Sequence, residues 1–182
     1  SMNKPHLAFA LLMATLLSAC DTYTYQRADT VASLQVALAD PNWNGYAIPP
    51  GQQCKKYGGE GATPPLKISG IPEGTNAVII AFSDRSWFLM DHGGHGMIGL
   101  WTGNSFSSVE IPAVAGDSFD LPKGLFIEQA HKGGRGAPGA YLPPCSGGRG
   151  NRYFAEVAAI HKGTGDEATV LLAEGEVFIG RY

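Results

Sequence analysis

Glycine and proline govern what this chain can fold into. They number 25 and 12 in 182 residues, and no amphipathic run of helical length survives between them. From Pro41 to Pro72 turn formers recur every few positions: Asn42, Asn44, Gly45, Pro49, Pro50, Gly51, Gly58, Gly59, Gly61, Pro64 and Pro65. That density excludes a long helix there. Residues 131–150 are equally irregular and repeat Gly-Gly-Arg-Gly at 133–136 and 147–150. Between the breakers stand short apolar stretches. Residues 77–82 form a continuous, β-branched run closed by Ser83-Asp84, the pattern of a strand buried on both faces. Residues 97–101 read as another strand, with shorter candidates at 118–121 and 125–128 split by Pro122 and Gly124. Residues 152–160 alternate as a strand does, and 169–182 form a last extended segment with a bend at Gly175. Residues 31–38 read two ways: Val31, Leu34 and Leu38 suit a helix capped by Thr30, whereas Leu34, Val36 and Leu38 alternate as in a strand. Many short strands separated by turns imply an all-β sandwich or barrel in a single domain.

The N-terminal residues carry a different signal. Lys4 and His6 precede an apolar run from Leu7 to Leu17, too short for the roughly 20 residues that cross a bilayer. A basic start, a short apolar stretch and small residues describe an export signal. The run closes on Leu17-Ser18-Ala19-Cys20, which resembles the lipobox of bacterial lipoproteins. In that family the signal is cut before the cysteine, which then carries acyl chains. The expected organisation is a signal peptide over 1–19, a lipidated N-terminus and linker over 20–31, and one β-sandwich domain over 32–182. The competing readings are an ordinary secretory signal with an incidental cysteine, or a buried core helix. The expected location is the bacterial cell envelope, lipid-anchored through Cys20 and facing the periplasm. Asp21 resembles an inner-membrane retention signal, but the choice of inner or outer membrane stays open. In an oxidising compartment the two remaining cysteines, Cys54 and Cys145, are expected to form a disulfide. Neither belongs to a Cys-x-x-Cys pair, so zinc and thioredoxin-like redox chemistry lack support.

Charge narrows the function classes. Thirteen basic and 16 acidic residues give a net charge of −3, and only 16% of residues are charged, against about 25% in an average soluble protein. Nucleic-acid binding needs clustered Lys and Arg, so no nucleic-acid partner is expected. Residues 94–99 match Gly-x-Gly-x-x-Gly, but Leu100-Trp101-Thr102-Gly103-Asn104 follow where a dinucleotide site needs a helix. Asp91, His92 and His95 have the spacing of two metal ligands and an acid, yet a closed site needs further partners and none lies nearby in sequence. No metal or cofactor is expected. A Gly-x-Ser-x-Gly nucleophile elbow is absent as well.

A set of segments carries more than any single motif. Thr63-Pro64-Pro65-Leu66, Ile71-Pro72-Glu73-Gly74-Thr75, the apolar strand ending at Asp84, Gly94-His95-Gly96, Tyr141-Leu142-Pro143-Pro144 and Asn151-Arg152-Tyr153 follow one another in a telling order. In order and spacing they resemble the phosphatidylethanolamine-binding protein family, in its bacterial Raf-kinase-inhibitor-like branch. Residues 32–38 and 170–182 resemble its opening and closing strands. The resemblance favours a strand at 32–38 and implies an antiparallel β-sandwich with little helix. It also implies a small pocket for an anionic or lipid-head-group ligand, lined by Asp84, His95, Tyr141, Pro144, Asn151 and Tyr153. Asp84 beside His95 would favour a charged imidazolium, and Arg135, Arg149 or Arg152 would add forked donors. The bland alternative is a structural hydrogen-bonded pair in a small polar dent. This sequence departs from the family in having Ser83-Asp84-Arg85-Ser86 for Asp-Pro-Asp, Asn151 for a histidine, glycines around His95, and a shortened insertion at 161–168. Two other functions compete with ligand binding: a protein-interaction or inhibitor module with a protein partner, and a hydrolase using His95.

Overall fold

A computed structural model describes residues 25–103 and 107–182. The expected signal peptide and Cys20 lie outside the described residues. The described chain forms β1 (Gln26–Ser33), β2 (Gln35–Leu38), β3 (Leu66–Ser69), β4 (Ala77–Asp84), β5 (Met97–Trp101), β6 (Ser108–Ile111), β7 (Leu125–Gln129), β8 (Arg152–His161) and β9 (Val170–Arg181). Two single 3-10 turns, at Lys55–Tyr57 and Phe88–Met90, are its helical content. The strands make two sheets, one of six in the order β1-β9-β8-β4-β5-β7 and one of three in the order β2-β3-β6. Every pairing is antiparallel except β1 with β9, which is parallel.

β4 explains its own composition. It is flanked by β8 and β5 and all eight of its residues are buried. Val78, Ile80 and Phe82 point toward the three-stranded sheet and meet Leu66, Ile68 and Ile111 in the main core. Ala77, Ile79 and Ala81 pack on the opposite face with Met97, Ile160 and Leu171. Side chains alternate across a strand, so apolar partners on both faces demand an unbroken apolar run.

The structure corrects four local readings. Residues 26–31, read as linker, pair with β9 as the edge strand β1; their polar character reflects an exposed edge. The strand expected over 32–38 is interrupted at Leu34, where the chain leaves the larger sheet for the smaller. Leu34 donates its backbone N–H to Glu174 while its side chain is buried in the core. No strand forms at 118–121, because Ser118 Oγ accepts the Asp120 N–H at 3.0 Å and turns the backbone, and Pro122 follows. The segment at Gly175 stays in register with Val157 through an unbroken β9.

Candidate functional site

The end of β4, the start of β8 and the approach to β5 lie at one end of the larger sheet, because β4 is antiparallel to both neighbours. Asp84 closes β4 opposite Tyr153, and His95 sits two residues before β5. A cavity of about 540 Å³ opens there, and Asp84, His95, Asn151 and Tyr153 line it.

Asp84 is buried, and its carboxylate is held from two sides. Oδ1 accepts the Ser86 N–H at 2.9 Å, and Oδ2 accepts the Asn151 side-chain amide at 2.7 Å. Asn151 stands where the resemblance expected a histidine, and it serves as a neutral clamp on the acid.

His95 is also buried, and its backbone is fixed on both sides. Its N–H donates to Phe82 and its carbonyl accepts from Leu142. Its neighbours must be glycine. A Cβ on Gly94 would fall 2.4 Å from Met90 Cα, and one on Gly96, at φ +118°, would fall 1.9 Å from the Ala140 carbonyl oxygen. The glycine-rich approach is therefore a packing requirement for bringing the histidine to the cavity.

The side chain of His95 behaves differently from expectation. Nδ1 lies 2.7 Å from the Leu142 carbonyl, so Nδ1 carries the proton and Nε2 is left as an acceptor. Burial pushes the imidazole pKa down to about 4, outweighing the raising effects of the Leu142 carbonyl and the Asp84 charge. The expected imidazolium is thus a neutral imidazole at physiological pH, because removing the ring from water costs more than the acid returns. Its ring meets that of Tyr153 edge-on, with centroids 5.3 Å apart. Burial likewise raises the Tyr153 hydroxyl to about 12, so it remains a donor.

Two of the expected residues stand behind the wall rather than on it. Tyr141 packs edge-on against Phe82 at 5.1 Å in the main core, and burial raises its hydroxyl pKa. Pro144 is buried and its carbonyl accepts the Cys54 N–H at 2.9 Å. Their neighbours Leu142, Cys145 and Ser146 supply the lining instead. The Cys54–Cys145 disulfide, with Cα atoms 5.2 Å apart across 91 residues of sequence, ties this wall to the loop carrying Cys54.

The mouth is cationic. Lys132, Arg135 and Arg149 line the cavity. Arg135 and Arg149 come from the duplicated Gly-Gly-Arg-Gly loops, a signal legible in the sequence. Trp87 and Lys132, which complete the rim, belong to no motif. Arg135 Nη1 donates to the Cys145 carbonyl at 3.2 Å, and its guanidinium lies 5.7 Å from the Trp87 ring centre. Arg152 turns away and stacks on Phe154 at 5.3 Å.

The structure also separates two histidines that the sequence placed together. His95 faces the cavity described above, whereas His92 lines a broader groove of about 810 Å³ on the other side of the turn. His92 gathers there with Asp91 and Glu156, their ligand atoms within 4.8 Å of one another, but Arg85 already pairs with Glu156 at 3.2 Å. The Gly-x-Gly-x-x-Gly stretch runs into β5 rather than a helix, and Gly99 leaves room for Phe126, whose ring a Cβ would strike at 2.1 Å.

No family model matches the sequence, and no curated protein matches it. Solved structures with a similar fold include two bacterial proteins. Escherichia coli YbcL, described as a new member of the mammalian phosphatidylethanolamine-binding protein family, superposes with a TM-score of 0.52 at 20% identity, covering 83% of this chain and 98% of YbcL. CT736 of Chlamydia trachomatis, described as a homolog of the same proteins, gives 0.49 at 19% identity, covering 82% and 97%. With its two sheets, its strand content and its likeness to YbcL, this chain has the fold of the phosphatidylethanolamine-binding protein family.

Proposed function

We propose that this chain is a binding protein for a small phosphate-type anion of the lipid-head-group class, held in the cavity between Asp84, His95 and Tyr153. One observation carries the reading: the charge balance at the mouth. The lining holds three cations, Lys132, Arg135 and Arg149, against the single acid Asp84. That acid is already engaged by Ser86 and Asn151. A cationic mouth on a chain of net charge −3 is a local feature rather than a property of the whole surface. Arginine presents two parallel N–H groups to a phosphate. Neutral His95 offers Nε2 as an acceptor, suited to a phosphate hydroxyl or to an ammonium or hydroxyl of a head group. Asp84 and Asn151 build the floor and hold its shape.

The lipobox-like sequence ending at Cys20 supports placing this site in the bacterial envelope, on a domain tethered by acyl chains and facing the periplasm. Adding O-phosphoethanolamine to isotopically labelled protein tests the binding. Chemical-shift changes should cluster on Arg135, Arg149, Asn151 and Tyr153. Shifts scattered over the surface, or none, contradict it.

A further inference from the structure

We propose that Trp87, Phe88 and Leu89 form a membrane-docking finger that seats the mouth of the cavity on an anionic lipid surface. The proposal deepens the head-group reading above, on which it rests, by naming a bilayer as the source of the ligand.

Six large apolar side chains are exposed among the described residues, and three of them are these consecutive ones, at 41%, 82% and 58%. The others, Tyr46, Trp101 and Phe119, are scattered along the sequence. Single exposed apolar residues are ordinary, whereas a contiguous cluster marks an interaction surface. The finger is also rigidly presented. The Met90 N–H donates to the Trp87 carbonyl at 2.8 Å, closing the 3-10 turn. The Met90 side chain is buried with Leu142 and the Cys54–Cys145 pair. The turn is therefore bolted to the disulfide-tied wall while its first three side chains point outward.

The surroundings identify the partner. Trp87 and Leu89 line the cavity together with Lys132, Arg135 and Arg149, and all three cations are exposed. On the cavity side the tips stand beside Lys132, Arg135 and Arg149, while behind them Phe88 and Leu89 border the broader groove that holds Asp91 and Glu156. The cation-flanked side suits the bilayer interface, where Trp and Phe enter the acyl boundary and cations meet lipid phosphates. Seated this way, the mouth opens directly onto the head groups.

Hydrogen exchange on the full chain tests this whether or not Cys20 is acylated. Vesicles of phosphatidylcholine mixed with phosphatidylglycerol should slow exchange across residues 87–90, and vesicles of phosphatidylcholine alone should do so less. The Phe88→Ser variant, altered at the most exposed side chain of the finger and outside the cavity lining, should bind the mixed vesicles roughly tenfold more weakly yet keep its affinity for water-soluble O-phosphoethanolamine. Unchanged exchange at 87–90 with anionic vesicles overturns the proposal and assigns the finger to a protein partner. Loss of O-phosphoethanolamine binding in the unmodified chain, with vesicle protection intact, would overturn the head-group reading and leave the docking surface standing.

Discussion

The Asn151 side-chain amide donates to Asp84 Oδ2 at 2.7 Å. With the Ser86 N–H on Oδ1, this bond makes Asp84 a fixed wall of the cavity. Replacing Asn151 by alanine removes the donor and leaves a buried carboxylate short of a partner. The expected cost is ~1–3 kcal/mol of stability. Chemical denaturation at neutral pH measures it, and an unchanged midpoint would show that the bond contributes nothing.

Gly96 has less latitude than the other glycines at the site. A methyl group there would collide with the Ala140 carbonyl in a backbone conformation that L side chains rarely adopt. Gly96→Ala should therefore cost about 3 kcal/mol or more. It should also displace His95, which a weakened histidine–tyrosine contact in the spectrum would report.

The buried imidazole of His95 makes stability depend on acid. Its pKa is about 4 in the folded chain against 6.5 for the free group, so the unfolded chain binds the proton more readily between those values. Its contribution is complete above pH 6.5 and is lost as pH falls toward 4, by about 3 kcal/mol in all. Urea unfolding at pH 7 and pH 4.5 should show this drop, and His95→Gln should show a smaller one. Equal drops in both proteins would contradict a neutral buried histidine.

The disulfide supports the cavity wall and closes a long loop. Reduction, or the Cys54→Ser/Cys145→Ser pair, should lower stability by up to ~4–5 kcal/mol in the chain-entropy description. The loss should be accompanied by weaker ligand binding, because Cys145 lines the cavity and its carbonyl anchors Arg135. Melting with and without reductant reads the first effect.

What the sequence made legible follows from how far each signal reaches. The run at 77–82 announced a strand buried on both faces because every position in it is apolar. β3 and β6 escaped notice because four residues, such as Leu66–Ser69, offer too little alternation to stand out among prolines. β1 escaped because an exposed edge strand has the composition of a linker. At the site, ordered motifs brought Asp84, His95, Asn151 and Tyr153 together, since their local segments fix where those strands begin and end. The charge state of His95 is not legible in the sequence because burial, which decides it, depends on contacts with Leu142 and Tyr153 that are distant along the chain. Trp87 and Lys132 carried no pattern at all.

The central claim is that a cationic mouth over a neutral histidine binds a phosphate-type head group. Titration calorimetry with O-phosphoethanolamine at pH 7.5 tests it most directly, comparing the unmodified chain with Arg135→Ala/Arg149→Ala. The account predicts saturable one-to-one binding, weakened about tenfold or more when the two forked donors are removed. No binding heat with the unmodified chain, or the same affinity in both proteins, would contradict it.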